Sequence, residues 1–514
     1  MRRLFAVVLL SAAALVAVRA ADNGSPLIDA VKAGDHAAVR RLIALKADVN
    51  AAGPDGTTAL HWAVRAGDRE TVSILLRQGA KATAVNRYNV TPIGLAATNG
   101  SVEIVRLLLD AGAEADTANP EGETALMTAA RAGSIGTTTL LASRGADVNA
   151  RESWFGETAL MWAAAENHAD MVRTLARLGA DVNARSNVVE APELEFPQSG
   201  GPNMPFARGG WSALMYAARE GAIDAAKALV DLKADVNFVA LPQTTDVAMT
   251  DEIRRGIDNH IGTTALVYAI INAHFDLAAM LLEHGADPNI ADHTGMAALY
   301  AAVEWNTLQW VQSRPAPIWR DTLDGTHLVS VLLKHGADPN ARLKLTPPKI
   351  SLDPGATLNF GAGATPLMRA ARTNDVAVMR LLLEAGADAN ATLPDGTTVL
   401  MIAAGQGLGA PRGDGPRIKV PTAAGAVDAV TLLLDRGVPI NATNKAGNTA
   451  LHGSVSRGDA VVKLLLDRGA KIVKNNAGFT PIDVAMGLGG RGRGGPGVVR
   501  ESTAALLRAA AGQN

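Results

Sequence analysis

The 514-residue chain contains no cysteine. This absence excludes disulfides, thiolate metal ligands, a cysteine nucleophile, covalently attached haem and an acylated-cysteine membrane anchor. The chain also has no large excess of charge of one sign, because its 48 Lys and Arg nearly balance its 50 Asp and Glu, which gives a net charge of −2. The sequence therefore gives no reason to expect nucleic acid or an acidic membrane as the main partner.

The N-terminal apolar run, Leu4 to Val18, is shorter than a membrane-spanning helix requires. It follows the basic residues Arg2 and Arg3 and precedes a small-x-small site at Val18-Arg19-Ala20. This order predicts a signal peptide over residues 1–20, cleaved after Ala20 by the general secretory route, with only a faint twin-arginine resemblance. We expect the mature chain to be periplasmic or secreted, with a bacterial periplasm favoured and no membrane anchor after cleavage.

A leucine or isoleucine recurs along most of the chain at intervals close to 33 residues. The recurring residues are Leu27, Leu60, Ile93, Leu126, Leu160, Leu214, Leu266, Leu299, Leu367, Leu400, Leu451 and Ile482. A fixed period of this size is typical of a stacked repeat array, in which each unit packs only on its neighbours. The period therefore predicts binding through an extended surface better than it predicts catalysis.

Residues 56–80 illustrate the physics of one repeat. Thr58 can cap a first helix, Gly67 can end it, and a second helix can end at Gly79. The predicted apolar faces of the two helices carry Leu60, Ala63, Val64, Val72, Leu75 and Leu76. Helices this short are marginal alone, so we expect stacking between repeats to stabilise them.

The repeat closely resembles the ankyrin repeat. The resemblance rests on the Thr-Ala/Pro-Leu element, as at Thr449-Ala450-Leu451, and on the Gly-Ala-Asp-x-Asn tail, as at Gly145–Asn149. It covers roughly residues 25–512, although Met often replaces the usual His after the periodic Leu. It implies an all-α solenoid of about twelve helix-turn-helix units with hairpin fingers, forming a single array over residues 21–514. It also implies a non-enzymatic scaffold or adaptor that binds another exported protein or peptide on the concave surface.

Four long steps in the period locate insertions. We predict them near 186–208, 238–261, 306–326, 343–362 and 405–426, with two of them inside one step. Insertions in repeat proteins gather on one face, which is often the binding face. Six of the seven tryptophans lie between residues 154 and 319, in the same stretch as three of the insertions.

Finger and first-helix positions in this stretch form our predicted partner site. Its residues are Trp154, Phe155, Glu157, Glu166, Trp211, Arg219, Glu220, His260, Met296, Glu304 and Trp305. Exposed Trp and Arg often dominate binding energies. The alternative is that the insertions fold back and cover these side chains. For Trp62 and Trp162, two residues after the periodic Leu, we expect packing between repeats instead.

Other chemistry finds little support in the sequence. No metal-binding cluster, cofactor motif or catalytic signature appears, and the Gly489–Gly495 Arg-Gly tract is one short copy. Two alternatives to a protein scaffold stay open. One is an enzyme built from the inserted loops, with Glu157, Glu166, Glu220, Glu304 and His260 as its candidates. The other is a glycan or small-ligand site that uses Trp211 and Trp305 as stacking platforms. The oligomeric state is unknown from sequence.

Overall fold

The computed structural model describes residues 25–190, 207–240, 262–306, 321–345, 360–406, 423–488 and 498–512. These ranges contain 24 helices arranged as successive pairs, which confirms the predicted helix-turn-helix architecture. The leader, His260 and most of the predicted insertions lie outside the described residues. None of the described helices is both long and apolar enough to cross a bilayer.

The contacts within the chain define two compact units. The N-terminal unit comprises the chain up to Val189 together with Gly209–Asp235, and the C-terminal unit comprises the remainder. The single ankyrin-repeat array predicted over residues 21–514 stays a prediction. Below, the first helix of each pair is called the inner helix and the second the outer helix.

Six helix pairs form the described part of the N-terminal unit. Their bounds are α1 Pro26–Lys32, α2 His36–Ala44, α3 Ala59–Arg65, α4 Arg69–Arg77, α5 Pro92–Thr98, α6 Val102–Asp110, α7 Ala125–Arg131, α8 Ile135–Ser143, α9 Ala159–Ala165, α10 Ala169–Arg177, α11 Ala213–Glu220 and α12 Ile223–Asp231. Two short strands, β1 Val188–Glu190 and β2 Ala207–Gly209, pair at the base of the first insertion.

Six further pairs form the described part of the C-terminal unit. Their bounds are α13 Ala265–Ile271, α14 Phe275–Glu283, α15 Ala298–Trp305, α16 Gly325–Lys334, α17 Pro366–Thr373, α18 Val376–Glu384, α19 Val399–Ala403, α20 Ala423–Leu434, α21 Ala450–Ser454, α22 Asp459–Asp467, α23 Pro481–Ala485 and α24 Glu501–Ala511. Within each unit, every inner helix packs on the next inner helix along the chain.

The repeat motif acts as the sequence predicts. The Thr124 hydroxyl accepts the backbone N–H of Met127 at 3.2 Å and so caps α7. Gly67, with φ +67°, adopts the left-handed conformation that separates α3 from α4. Most of the predicted apolar face is buried: Leu60 is 1% exposed and Leu75 is fully buried, whereas Leu76 is half-buried. Each pair is therefore held by the apolar surface that its neighbours cover.

The tail asparagine ties consecutive repeats together. Asn340 donates its side-chain N–H to Gly386 O at 3.0 Å, and its side-chain oxygen accepts the N–H of Asp388 at 2.8 Å. The same two bonds recur at Asn50, Asn149, Asn237, Asn289 and Asn441. At the next repeat along, Pro439 occupies the position of the donor and has no N–H. Asn390 therefore cannot form the second bond.

This difference gives a matched pair of substitutions. We expect Asn340→Ala to destabilise the C-terminal unit by about 1 kcal/mol, because two bonds to the neighbouring backbone are lost at an exposed site. Asn390→Ala should lower the free energy of unfolding by clearly less. Chemical denaturation of the two variants, followed by circular dichroism, measures the difference. Equal losses would show that the asparagine does not link the repeats energetically.

Two histidines, His61 and His452, keep the residue that is usual after the periodic Leu. Nδ1 of His61 accepts the N–H of Thr58 at 3.2 Å, and Nε2 donates to Val90 O at 3.0 Å. His452 repeats this geometry with Thr449 and Phe479. Burial lowers the pKa of both imidazoles below the ordinary value of 6.5. Both rings are thus held neutral, with Nδ1 as an acceptor.

A lowered histidine pKa makes the fold acid-sensitive. The unfolded chain binds the proton first, so the contribution of each ring is fully present above pH 6.5 and is lost as the pH falls towards the folded pKa. We expect Tm to fall between about pH 7.5 and about pH 5.5. The Tm of the His61→Met/His452→Met variant should fall less over this range, since Met127 occupies the equivalent position in its own repeat. An unchanged pH profile would contradict the assignment.

Candidate functional site

One finger of the N-terminal unit presents two aromatic rings to solvent. Trp154 is 65% exposed and Phe155 37% exposed, as the sequence predicts. The Glu152 carboxylate, only 6% exposed, accepts the backbone N–H groups of Trp154 at 2.7 Å, Phe155 at 2.7 Å and Glu157 at 2.9 Å. A buried carboxylate with three amide donors fixes the turn, so the two rings are displayed on a preformed backbone.

Beside this finger, cationic and aromatic side chains alternate along the inner helices. The Arg131 guanidinium carbon lies 4.8 Å from the centre of the Trp162 ring. Trp162 Nε1 donates to Glu157 Oε2 at 2.6 Å. The Tyr216 side chain interacts with the same carboxylate: burial, reinforced by Glu157, raises the pKa of Tyr216, so its hydroxyl stays protonated. Glu157 thus connects the rings of two successive repeats.

The alternation continues at the next repeat. The Arg219 guanidinium carbon lies 5.0 Å from the Trp211 ring centre and 5.3 Å from that of Tyr216. The two rings meet edge to face at 5.3 Å. Ser186 fixes the Trp211 backbone, because its hydroxyl accepts the Trp211 N–H at 3.0 Å and its own N–H donates to Trp211 O at 2.9 Å.

We call this set of side chains the cation–aromatic row. Its members are Arg131, Trp162, Glu157, Tyr216, Arg219 and Trp211. Cation–π contacts contribute roughly 0.5–1 kcal/mol each when exposed, and more when water is excluded. A partner that covers the row would therefore strengthen contacts that already exist in the free protein.

A positional rule underlies the row. The residue five positions after one periodic Leu contacts the residue two positions after the next periodic Leu. Lys32 lies over Trp62 in this way, with its Nζ 4.4 Å from the ring centre, and Arg131 lies over Trp162. In the C-terminal unit the same two positions hold Glu304 and Arg369, with Oε1 and Nε 3.9 Å apart. The array thus carries cation–π stacks at two junctions and an acid–base pair at another.

The remaining predicted residues of the N-terminal unit lie at or near the row. Glu166 and Glu220 are exposed, and Glu220 Oε1 pairs with Arg219 Nε at 2.6 Å. Trp162 is 9% exposed, which confirms the expected packing between repeats. Trp62 is half-buried, and Arg65 also lies over its ring, 5.6 Å from the centre.

Three predicted residues of the C-terminal unit are buried rather than available at the surface. Met296 is fully buried, and its backbone N–H is held by the Asp292 carboxylate at 3.0 Å. Glu304 is 4% exposed and faces Arg369. Trp305 is 8% exposed because its ring turns back onto the preceding pair, where Nε1 donates to Ile271 O at 3.1 Å. Their expected exposure was wrong.

Several residues of this surface lie outside the predicted set. Arg131 and Tyr216 belong to the row but were not among the predicted residues. Tyr88, at the finger position equivalent to Phe155, is 73% exposed. The available signal was positional, because Arg131 and Arg65 both lie five residues after a periodic Leu.

The enzyme alternative requires the predicted acid–base residues to come together. Within the described ranges, no group of three or more His, Asp or Glu could hold a metal ion. Glu157 is engaged by Trp162 and Tyr216, and Glu304 faces Arg369. His260 lies outside the described residues. The predicted acid–base candidates therefore do not form a constellation in the part that can be described.

Comparison with known proteins identifies the class of protein that this geometry belongs to. The chain matches the three-copy ankyrin-repeat family over residues 8–86, 27–119, 93–186, 245–313, 323–410 and 422–491. The single ankyrin repeat matches residues 209–240. The chain therefore belongs to the ankyrin-repeat family, whose members typically mediate protein–protein interaction.

Two curated relatives share part of the array. A probable E3 ubiquitin-protein ligase of Oryza sativa subsp. japonica is 29% identical over 170 residues, which cover 27% of this chain and 34% of that protein. A B-cell lymphoma 3 protein homolog of Mus musculus is 34% identical over 159 residues, 30% of this chain and 35% of that protein. The chain spans only about a third of each relative.

The support of the exposed finger can be tested directly. We expect Glu152→Ala to destabilise the N-terminal unit by about 1–3 kcal/mol, because three backbone N–H groups lose a buried acceptor. Glu152→Gln should cost less, since its amide oxygen still accepts. Denaturation measures the stability, and hydrogen exchange at residues 153–157 measures the local opening. If residues 153–157 exchange as slowly in Glu152→Ala as in the wild type, the carboxylate does not hold the turn.

Proposed function

We propose that this protein is a non-enzymatic scaffold that binds another exported protein or peptide through the N-terminal unit. The observation that supports this most is the pairing of Trp154, exposed on a fixed turn, with the adjoining cation–aromatic row. Large aromatic side chains displayed on a rigid backbone lose little entropy on binding and act as energetic anchors.

The chemistry of the surface defines what the partner must offer. Trp154 and Phe155 present apolar surface, whereas Arg131 is exposed and directs its guanidinium across the Trp162 ring. A guanidinium stacked on a ring keeps its N–H edge available to an acceptor. The complementary segment therefore combines an apolar side chain with a carboxylate or a backbone carbonyl.

The proposed site of action is the periplasm or the extracellular space. This location rests on the leader of residues 1–20, with its basic start, short apolar run and small-x-small site. The absence of cysteine is compatible with such a compartment but does not require it. N-terminal sequencing of the mature protein tests the leader, with cleavage after Ala20 expected and an uncleaved N terminus contradicting it.

The glycan alternative is weaker than the protein scaffold. Trp305 is buried, and Arg219 stacks on the ring of Trp211, so neither tryptophan presents the open face that a sugar requires. Trp154 alone remains as a stacking platform among these three. We therefore retain glycan binding as an outcome of the test below rather than as a second function.

Affinity capture from the exported fraction tests the proposed function. The mature full-length protein should capture a protein partner, and Trp154→Ala/Arg219→Ala should weaken binding by about thirtyfold, the loss typical of two anchor residues. The matched control is Leu45→Ala, which removes a similarly exposed apolar side chain, 73% accessible, after the outer helix α2.

The control separates the possible outcomes. Unchanged capture by Leu45→Ala together with loss in the double variant supports the surface. Equal capture by all three proteins would contradict it. Capture of glycan without protein would replace the scaffold proposal with the alternative.

A further inference from the structure

A second group of stacked cations lies in the first two repeats, outside the cation–aromatic row. Lys32 Nζ and the Arg65 guanidinium carbon lie 4.4 Å and 5.6 Å from the centre of the same Trp62 ring. Both cations are exposed, and the ring that they share is half-buried. We call Lys32, Trp62 and Arg65 the terminal stack. Because its two cations share one ring, a short stretch of one partner can contact both.

The acidic neighbours of the terminal stack do not neutralise it. The Asp55 carboxylate, on the finger before α3, accepts the Thr57 N–H at 3.0 Å and the Thr57 hydroxyl at 2.8 Å. These two bonds lower the pKa of Asp55, and attraction to Lys32 adds a smaller effect. Asp29 is exposed one turn before Lys32 on α1. Within the described ranges, neither Lys32 nor Arg65 forms an ion pair with a carboxylate.

Two arginines of the outer helices in the same unit are paired with acids instead. Arg40 Nη1 lies 2.6 Å from Glu70 Oε1, and Arg144 Nη2 lies 2.9 Å from Asp110 Oδ1. Each pair joins one repeat to a neighbouring repeat. On the inner helix α7, by contrast, Arg131 contacts a tryptophan ring and has no ion-pair partner in the described part of the chain. The inner helices thus present cationic charge that these outer pairs neutralise.

The inner cations recur at one position of the repeat. The residue five positions after the periodic Leu is basic in four of the six repeats of this unit, namely Lys32, Arg65, Arg131 and Arg219. Arg219 pairs with Glu220 at 2.6 Å. Because consecutive inner helices pack on each other, the four cations form a line along the unit. At about 10 Å per helix, Arg65 and Arg131, two repeats apart, are separated by about 20 Å.

An exposed aromatic side chain accompanies the terminal stack. Tyr88 is 73% exposed, and its finger contacts α3, where His61 Nε2 lies 3.0 Å from Val90 O. The Asn86 side-chain oxygen accepts the N–H groups of Tyr88 and Val90, both at 2.9 Å, and so fixes the turn. The combination of a stacked cation with a finger aromatic on a fixed turn therefore occurs twice in the N-terminal unit.

We propose that the terminal stack is a second anchor point for the partner and that the partner binds through an extended acidic segment. The first carboxylates of the segment pair with Lys32 and Arg65, and a later carboxylate pairs with Arg131. An extended chain advances about 3.3 Å per residue, so the two acidic positions are about six residues apart. This inference rests on the proposed function and adds the charge and spacing of the partner. Complementary charge of this kind favours specificity and fast association.

Fluorescence anisotropy of a labelled synthetic peptide tests this chemistry on the mature full-length chain. The probe carries two Glu pairs about six residues apart, each beside a Leu, in a Ser/Ala background. One reference peptide has Gln in place of Glu, and another has the Glu pairs next to each other. We expect the spaced peptide to bind about fivefold more tightly than the adjacent-pair peptide, which reaches one anchor only. The Gln peptide should not bind, and added sodium chloride should weaken the spaced peptide.

Variants with matched net charge locate the effect. Lys32→Gln/Arg65→Gln should bind the spaced peptide about tenfold more weakly, because two exposed charge contacts are lost. Arg40→Gln/Arg144→Gln removes the same charge at the outer helices and should bind as the wild type does. Lys32→Arg/Arg65→Lys keeps both charges and should retain most of the affinity, which preserves the test if the Gln variant is destabilised.

Capture of the exported partner with the same variants separates this inference from the proposed function. Equal capture by the wild type and Lys32→Gln/Arg65→Gln, without binding of the spaced peptide, would overturn the inference and leave the scaffold function intact. Peptide binding that depends on Lys32 and Arg65, without any captured protein, would support the inference and contradict the exported-partner function. Equal losses in both double Gln variants, or binding of heparin but not of the spaced peptide, would overturn the acidic-segment site.

Discussion

The burial of short helices against their neighbours is the constraint on which the rest of this structure depends. The longest helix in the described ranges has 12 residues and several have five, lengths that are marginal in isolation. Each pair persists because adjacent pairs cover its apolar face, as the complete burial of Val72 and Leu75 shows. A position near the end of an inner helix is consequently a position at a junction between repeats.

That constraint explains where interacting polar side chains can lie in the array. The residue five after one periodic Leu and the residue two after the next meet at a partly sheltered junction. Lys32 with Trp62 and Arg131 with Trp162 use it for cation–π contact, whereas Glu304 with Arg369 uses it for an acid–base pair. One structural position thus supports cation–π contacts in one unit and a buried acid–base pair in the other.

The fold was predictable because its signals are local. The Thr cap, the glycine with positive φ and the tail asparagine each specify a contact within one repeat or with the next, so the period predicts the architecture. The exposure of Trp154 was predictable for the same reason, since finger residues point away from the helices. The family match confirms this architecture.

The candidate sites were less accessible to sequence reasoning. Position in the repeat indicates a face but not the direction of a side chain, and Trp305 turns back to Ile271 instead of outward. Likewise, Arg457 donates a hydrogen bond to Arg372 O although the two residues are 85 positions apart. Neither residue is unusual alone, so their contact is visible only in three dimensions.

Hydrogen–deuterium exchange of the full-length protein, with and without its captured partner, tests the central claim most directly. The account predicts slower exchange at the finger of residues 152–157 and in α9 and α11, with no change in the outer helices α8 and α10. Protection confined to the outer helices or to the C-terminal unit would contradict the assignment of the binding surface to the cation–aromatic row and its finger.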